Sequence, residues 1–383
     1  MEARPAPVCR DQRQERLIIT PSADLDLAVA DLVTSAFGHS GQKCSAASLA
    51  ICVGDVYESP RFRQKLTDAV TSLAVGSQHD LSTTMGPLIG PPPDKLMRAL
   101  TQLDDGEEWL VKPTRLDDGL WTPGVRIGVE PNSWFHLTEC FGPVLGVMRA
   151  DDLDHAIALQ NSTDYGLTGG IHTLEDDDVE RWLEGVEVGN AYVNRTITGA
   201  IVQRQPFGGW KHSAIGPGAK AGGPNYVRSL RRWIDTAPRD EAWLDLARGS
   251  DERWWLDHYS IQHDPSALYC ESNILRYRPL PRAVIWVASD ADPIEVQRCT
   301  LAAQRCCEQV LVLSEDEFVA NQVGPYDRVR VVGSASGLVI SAALAAGAQL
   351  IDTPVTGDGR IELGYYLREQ AVSRTLHRFG NVA

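Results

Sequence analysis

The chain has 383 residues, 43% of them hydrophobic and 23% charged, the composition of an ordinary soluble protein long enough for two or three domains. A formal net charge of -15 disfavours nucleic acid and anionic lipid as partners, and no apolar run approaches the about 20 residues that span a bilayer. The polar start MEARPAPVCRDQRQER has no apolar stretch of the secretory kind, so the eight cysteines are expected to stay reduced in the cytoplasm. None forms a C-x-x-C pair or a Cys/His cluster with zinc spacing, and no metal is expected.

Leu17 to Thr20 reads as a short strand. The segment DLDLAVADLVTSAFG then places Leu27, Leu32, Ala36 and Phe37 near one face of a helix capped by Ser22 or Asp24. The turn HSGQ delivers Cys44 to an expected helix start. SLAICVGDVY alternates as a strand does, and RFRQKLTDAVTSLAVG reads as an amphipathic helix ended by Gly76. GPLIGPPPDK marks a loop before the helix DKLMRALTQL. HLTECFGPVLGVMRA reads as strand, turn, strand, LDHAIALQNS as a helix and NAYVN as a short strand. The glycine- and proline-rich TGAIVQRQPFGGWKHSAIGPGAKAGGPNYV has the character of a functional loop.

Residues 237–272 read as a connecting region, with Trp254 and Trp255 packed between domains. Beyond it, the strand AVIWVA, the helix PIEVQRCTLAAQRCCEQ, the strands VLVLS and RVRVVG, the helix ASGLVISAALAAG and the strand QLIDTP predict a second α/β unit with a parallel sheet. GSASG follows a strand as a phosphate-binding loop would. It is not G-x-G-x-x-G, so ordinary strand-to-helix packing is the favoured reading over nucleotide binding.

Cys44 is the focal residue for chemistry. The amides of a helix start and the neighbouring Lys43 would both stabilise a thiolate, the reactive form. On local features alone, a small apolar cysteine buried in a helix is the commoner outcome. The wider context changes the odds. GQKCSAAS resembles the segment around the nucleophile of aldehyde dehydrogenases, and ADLDLAVADLVTSAF before it, then TECFGPVLGV and PFGGWKHS after it, follow in that family's order across roughly residues 17 to 235.

The resemblance implies an α/β fold in which an aldehyde dehydrogenase catalytic domain of αβα layers occupies 17–236. A degenerate Rossmann-like α/β domain follows over 273–383, similar to the extra C-terminal domain of long proline-utilisation proteins, where it helps assembly; a homo-oligomer is expected. It further implies that Cys44 attacks the carbon of a small aldehyde, that the hemithioacetal passes hydride to NAD, and that water hydrolyses the thioester left behind. The Cys44 backbone amide would donate to the oxyanion. Glu139 matches the family glutamate that holds the nicotinamide ribose, and Phe141 the aromatic beside it; a solvated turn carboxylate and a core ring are the plainer alternatives.

TGAIVQRQPFGG, together with KAGGPNY, resembles the loop that anchors the substrate carboxylate in dehydrogenases of L-glutamate γ-semialdehyde. The Gly199 and Ala200 amides would form the nest, the Ser45 hydroxyl would add a donor, and Phe207 would pack on the aliphatic part. A glycine-rich turn that merely closes the pocket is the alternative.

The family places its general base in an E-x-x-G-K-N segment just before the first strand, with a nucleotide-binding domain ahead of it. This chain has RDQRQER there. The codons CGA GAC CAG CGG CAA GAA CGC spell that heptapeptide and, read one nucleotide later, begin E-T-S-G-K-N. Residues 1–16 are therefore expected to be an out-of-frame tail, the cofactor domain and base to be encoded upstream, and the chain to be inactive by itself. A non-catalytic assembly or interaction module is the alternative from another class, and a cofactor-independent thiol esterase at Cys44 is a third.

Overall fold

A computed structural model describes residues 15–117, 119–214, 218–320 and 323–377. Apart from Glu15 and Arg16, the tail expected to be out of frame lies outside them. Contacts divide the chain into two compact units, Met1–Gly199 and Ala200–Ala383.

In the first unit, the apolar runs become strands buried on both faces, as parallel sheets require. Their order is Asn190–Val193, Thr168–His172, Glu15–Ile19, Ala47–Val53, Val144–Ala150 and Gly124–Ile127, all parallel to their neighbours, with Glu108–Val111 antiparallel against the last. The first of these in the chain starts at Glu15 rather than Leu17, so two charged residues enter the buried ladder. Asp24 is the cap of the helix Leu25–Phe37, its carboxylate accepting from the amides of Asp26 and Leu27. That helix buries Ala28, Val29, Leu32, Ala36 and Phe37 against the sheet's Leu17, Ile19 and Ala50, and each large apolar side chain so buried contributes about 1.5–3 kcal/mol. Leu27 is only half-buried.

Three local expectations need correction. Residues 47–53 form a strand, so Cys44 precedes a strand and no helix start. The helix expected up to Gly76 spans Pro60–Thr71; the chain then turns away so that the Ala74 carbonyl accepts from the Met85 amide and the Gly76 amide donates to the Met85 carbonyl. The first arm of the expected strand–turn–strand is a helical turn, Trp134–Leu137, in which the Ser133 hydroxyl accepts from the His136 amide while Phe135 and His136 are buried. Only the second arm, Val144–Ala150, is a strand.

The second unit contains the expected parallel sheet, in the order Val310–Leu313, Ala283–Val287, Arg328–Val332, Gln349–Ile351, with the helices Pro293–Cys306 and Gly337–Ala346 between its strands. The same unit contains, apart from that sheet, a long antiparallel pair that the sequence did not suggest, Glu271–Pro279 against Leu367–Thr375. The stretch read as a connection holds a helix, Glu241–Trp254, capped by Asp240. Trp254 and Trp255 pack on the core of this unit, against a cluster containing Leu363 and Cys306. The compact units divide at Gly199 because the glycine-rich loop is tied into the second unit. Gln205 donates to Asn273 and Ser373, and the Trp210 indole to the Glu369 carbonyl.

In GSASG, the Asp290 carboxylate accepts from the Ser334 amide, 2.9 Å away, and the Ser336 hydroxyl accepts from the Val339 amide. A phosphate would have to displace that carboxylate, which agrees with simple strand-to-helix packing. Among the described residues, no helix is long and apolar enough to cross a membrane, and no group of three His, Cys, Asp or Glu could hold a metal ion.

Candidate active site

Cys44 lies in a tight turn between a short helical stretch, Gly38–Gly41, and the strand Ala47–Val53. His39, Ser40 and Gly41 all have positive φ, at 54°, 56° and 68°. For the first two this is a conformation of roughly 1–3 kcal/mol strain. The Ser40 hydroxyl, donating to the Gly86 carbonyl at 2.6 Å, helps hold it, and the Ala46 amide closes the turn on the Lys43 carbonyl.

Glycine is needed at 41 for a second reason. A Cβ there would fall 2.2 Å from the Gly142 carbonyl oxygen. The two backbones meet, and that contact sets the Cys44 turn directly against the turn carrying Glu139 and Phe141. A Cβ at Gly142 would in turn fall 2.3 Å from the Leu96 side chain on the helix Asp94–Thr101. Phe141 itself has φ of 55°, a further strained residue in the same turn.

The result is a cleft of about 570 Å³ lined by Cys44, Glu139, Phe141, Gln42, Lys95 and the proline-rich loop at 89–93, within the about 300–1,000 Å³ of small-molecule sites. Cys44, Glu139 and Phe141 are thus brought together. Glu139 is 9% exposed, while Phe141 and Cys44 are half-buried. Gln42 was missed by sequence reasoning. Its amide nitrogen donates to the Phe141 carbonyl at 3.3 Å, and its oxygen accepts from the Ile89 amide at 2.8 Å, so it ties both walls of the cleft to the Cys44 turn. A lone glutamine carries no signal beyond its place two residues before the cysteine.

The neighbouring Cys140 is a useful contrast. It is 4% exposed and turned into the core, where burial pushes its thiol up to about 12. Burial likewise pushes the thiols of Cys52 and Cys299 up. A thiol so disfavoured as an anion is inert near neutral pH, whereas Cys44 reaches the cleft.

Ser45, beside Cys44, is buried. Gly199 and Ala200 are exposed, Gly199 with φ of 80°, and their amides make no hydrogen bond among the described residues. Phe207 is half-buried and forms a two-way bridge with Ala221.

A model described as the aldehyde dehydrogenase family matches residues 14–233, more than half of the chain. The chain belongs to the aldehyde dehydrogenase family. Within it, a 1-pyrroline-5-carboxylate dehydrogenase of a Geobacillus species is 40% identical over 217 residues, which are 56% of this chain and 41% of that protein. The protein of the same name from Bacillus subtilis is 39% identical over the same shares. Among solved structures, Proline Utilization A from Corynebacterium freiburgense matches with a TM-score of 0.87 at 50% identity, covering 97% of this chain and 39% of that one, so the likeness runs on through the second unit. A 1-pyrroline-5-carboxylate dehydrogenase from Thermus with bound NAD matches with a TM-score of 0.50 at 33% identity, over 56% of this chain and 41% of that chain. This aldehyde dehydrogenase chain therefore spans well under half the length of these relatives.

Proposed function

We propose that this chain supplies the nucleophile side of an NAD-dependent oxidation of L-glutamate γ-semialdehyde to L-glutamate, with Cys44 as the attacking thiol. The observation that carries the reading is the cleft itself, which a partly accessible thiol, a nearly buried carboxylate and an aromatic ring line together. The names of the relatives, 1-pyrroline-5-carboxylate dehydrogenase and Proline Utilization A, support the substrate class.

The residues of the cleft fit the nicotinamide riboside end of NAD. The Glu139 carboxylate can only accept, which suits ribose hydroxyls, and the Phe141 ring offers a flat apolar contact beside the thiol. Bound there, NAD would supply the hydride acceptor. The chain's own part is to deliver the Cys44 sulfur to the aldehyde carbon, to donate the Cys44 amide to the developing oxyanion, and to hold both in place through the Gly41–Gly142 contact and the Gln42 clamp. Ser45, the amides of Gly199 and Ala200, and Phe207 are assigned to the substrate carboxylate and its aliphatic stem on the family resemblance.

Two measurements test this. Limited alkylation with iodoacetamide, read by mass spectrometry, should modify Cys44 far faster than Cys140, and Cys44→Ser should remove the fast phase; equal rates would sink the assignment. NADH formation from 1-pyrroline-5-carboxylate should depend on Cys44, and turnover that survives Cys44→Ser would overturn the proposal. Hydrolysis of an activated ester that vanishes in Cys44→Ser would mark a bare thiol esterase.

A second reading, a non-catalytic assembly role, has an observation of its own. Leu338, Leu344 and Val319 stand exposed on the helices Gly337–Ala346 and Glu315–Ala320 of the second unit, and exposed apolar residues grouped this way favour association. A purely monomeric elution in size-exclusion chromatography would remove it.

A further inference from the structure

The second unit contains a cavity of about 220 Å³ that none of the cysteine chemistry uses. It opens between the segment 219–233, the strand Glu271–Pro279 and the stretch 350–369. Its size is below the about 300–1,000 Å³ of drug-sized sites, which restricts it to a ligand of a few heavy atoms.

Three features of its lining point to a ligand of defined chemistry. Asn225 is 1% exposed. Its amide nitrogen donates to the Glu369 carboxylate at 2.7 Å and to the Tyr277 hydroxyl at 2.9 Å. Because a carboxylate only accepts, the orientation of that amide is settled, and the Asn225 Oδ1 is left buried without a partner among the described residues. A buried acceptor in that state calls for a donor.

The second feature is cationic. Arg228 spends one nitrogen on the Tyr259 hydroxyl and the Arg360 carbonyl, and the Arg231 side chain makes no hydrogen bond among the described residues. Neither guanidinium has a carboxylate within ion-pair distance among those residues, although both line the cavity. A pair of arginines so placed is suited to a carboxylate, which it can hold through two parallel N–H bonds. The third feature is the aromatic wall of Tyr277 and Trp233, which packs an aliphatic stem and attracts a cation over its faces.

We propose that this cavity binds a small α-amino acid as its zwitterion. The carboxylate lies on Arg228 and Arg231, the protonated amine donates to Asn225 Oδ1, and the side chain rests on the aromatic wall. A simple carboxylate would leave Asn225 unsatisfied, and a simple amine would leave both guanidinium groups without an anion. The inference is independent of the reading of Cys44, since every group it uses lies in the second unit.

Isothermal titration calorimetry on the full chain tests it, with glycine, L-leucine, L-proline and L-glutamate as ligands and propionate, ethylamine and inorganic phosphate as probes. Saturable binding of at least one amino acid is expected, at least tenfold tighter than any of the three probes. Arg231→Ala, an exposed change that should leave the thermal melt where it was, should weaken it at least tenfold, and Cys44→Ser should not change it. Asn225→Ala removes the acceptor but also the support of Glu369, so its result is read only beside a melt that matches the parent. Binding by none of the four amino acids, propionate or phosphate binding as tightly as the best of them, or an Arg231→Ala protein that binds like the parent would overturn the proposal.

Discussion

Two places in the molecule, one in each unit, bury charge in opposite ways. In the second, Arg330 directs its Nε and Nη2 to Glu362 at 2.7 and 3.2 Å and its Nη1 to the carbonyls of Val331, Ile351 and Thr353. Arg298 forks onto Asp251 at 2.7 and 2.8 Å and gives its Nε to the Thr356 carbonyl. Each guanidinium has found a counter-ion and uses all three of its nitrogens. In the first unit, Glu15 and Arg16 enter a parallel strand at 3% and 2% exposure without that provision. Glu15 accepts with one oxygen from the Thr168 amide and hydroxyl, and Arg16 donates with one nitrogen to the Gln160 carbonyl and the Thr163 hydroxyl. The other Glu15 oxygen and two Arg16 nitrogens are buried with no partner among the described residues. Burial of an ion is tolerated where a partner replaces the water it loses and is a burden where none does. The difference teaches that pairing decides the cost of burial: Glu15 and Arg16 carry an uncompensated burden that Arg330 and Arg298 do not.

The largest effect should come from breaking a satisfied pair. Against the upward push of burial, Arg330 holds the Glu362 carboxyl below its ordinary range. Glu362→Gln leaves the Arg330 charge sealed in the core without its counter-ion. A loss of about 3–5 kcal/mol is expected, measured by urea unfolding of the second unit's transition; a loss under about 1 kcal/mol would mean that this pair is not what holds the parallel sheet to the 359–362 turn.

The next effect has the opposite sign. Burial pushes the Glu15 carboxyl up from 4.5 to about 8, opposed by its hydrogen bonds to Thr168 and by Arg16. The folded chain therefore keeps a proton that the unfolded chain gives up. Stability owed to this residue is undiminished below 4.5, falls as pH rises through the window from 4.5 to 8, and stays low above it. Glu15→Gln should abolish that slope and, above about pH 8, stabilise the first unit by about 2–4 kcal/mol. Unfolding curves of both proteins from about pH 5 to about pH 9 check it, and parallel curves would show that Glu15 reaches water.

How much of this was legible beforehand follows from the same physics. Strands buried on both faces announce themselves as apolar runs, and VLGVM and AVIWV became strands of parallel sheets, as did RVRVV although Arg328 and Arg330 interrupt it. The pair Glu271–Pro279 and Leu367–Thr375 stayed hidden because Arg276, Arg278, Arg368 and Gln370 interrupt it and its partners lie far apart in the chain. The helix Glu241–Trp254 passed for a connection because its buried side includes Asp251, a residue made tolerable by Arg298 in a distant helix. At the cleft, the glycine turn before Cys44 was readable. SAASLAICV, however, suits a helix start as well as a strand, and the neighbouring strands at Leu17 and Gly146 decide for the strand. The Gln42 clamp and the Gly41–Gly142 contact depend on which turns meet in space, and no local pattern encodes that.

The smallest effect sets the floor of the scale. Arg63 and Glu58 form an ion pair at 3.2 Å with side chains 32% and 67% exposed, so water competes for both groups and salt screens them. Glu58→Gln should cost less than about 0.5 kcal/mol at low salt and nothing measurable once the ionic strength reaches about 1 M, where the screening length is about 3 Å. If it costs as much as Glu362→Gln, then partner distance rather than burial governs these charges. In that case the contrast between Glu362 and Glu15 would lose its physical basis, because Glu15, too, lies within bonding distance of two donors.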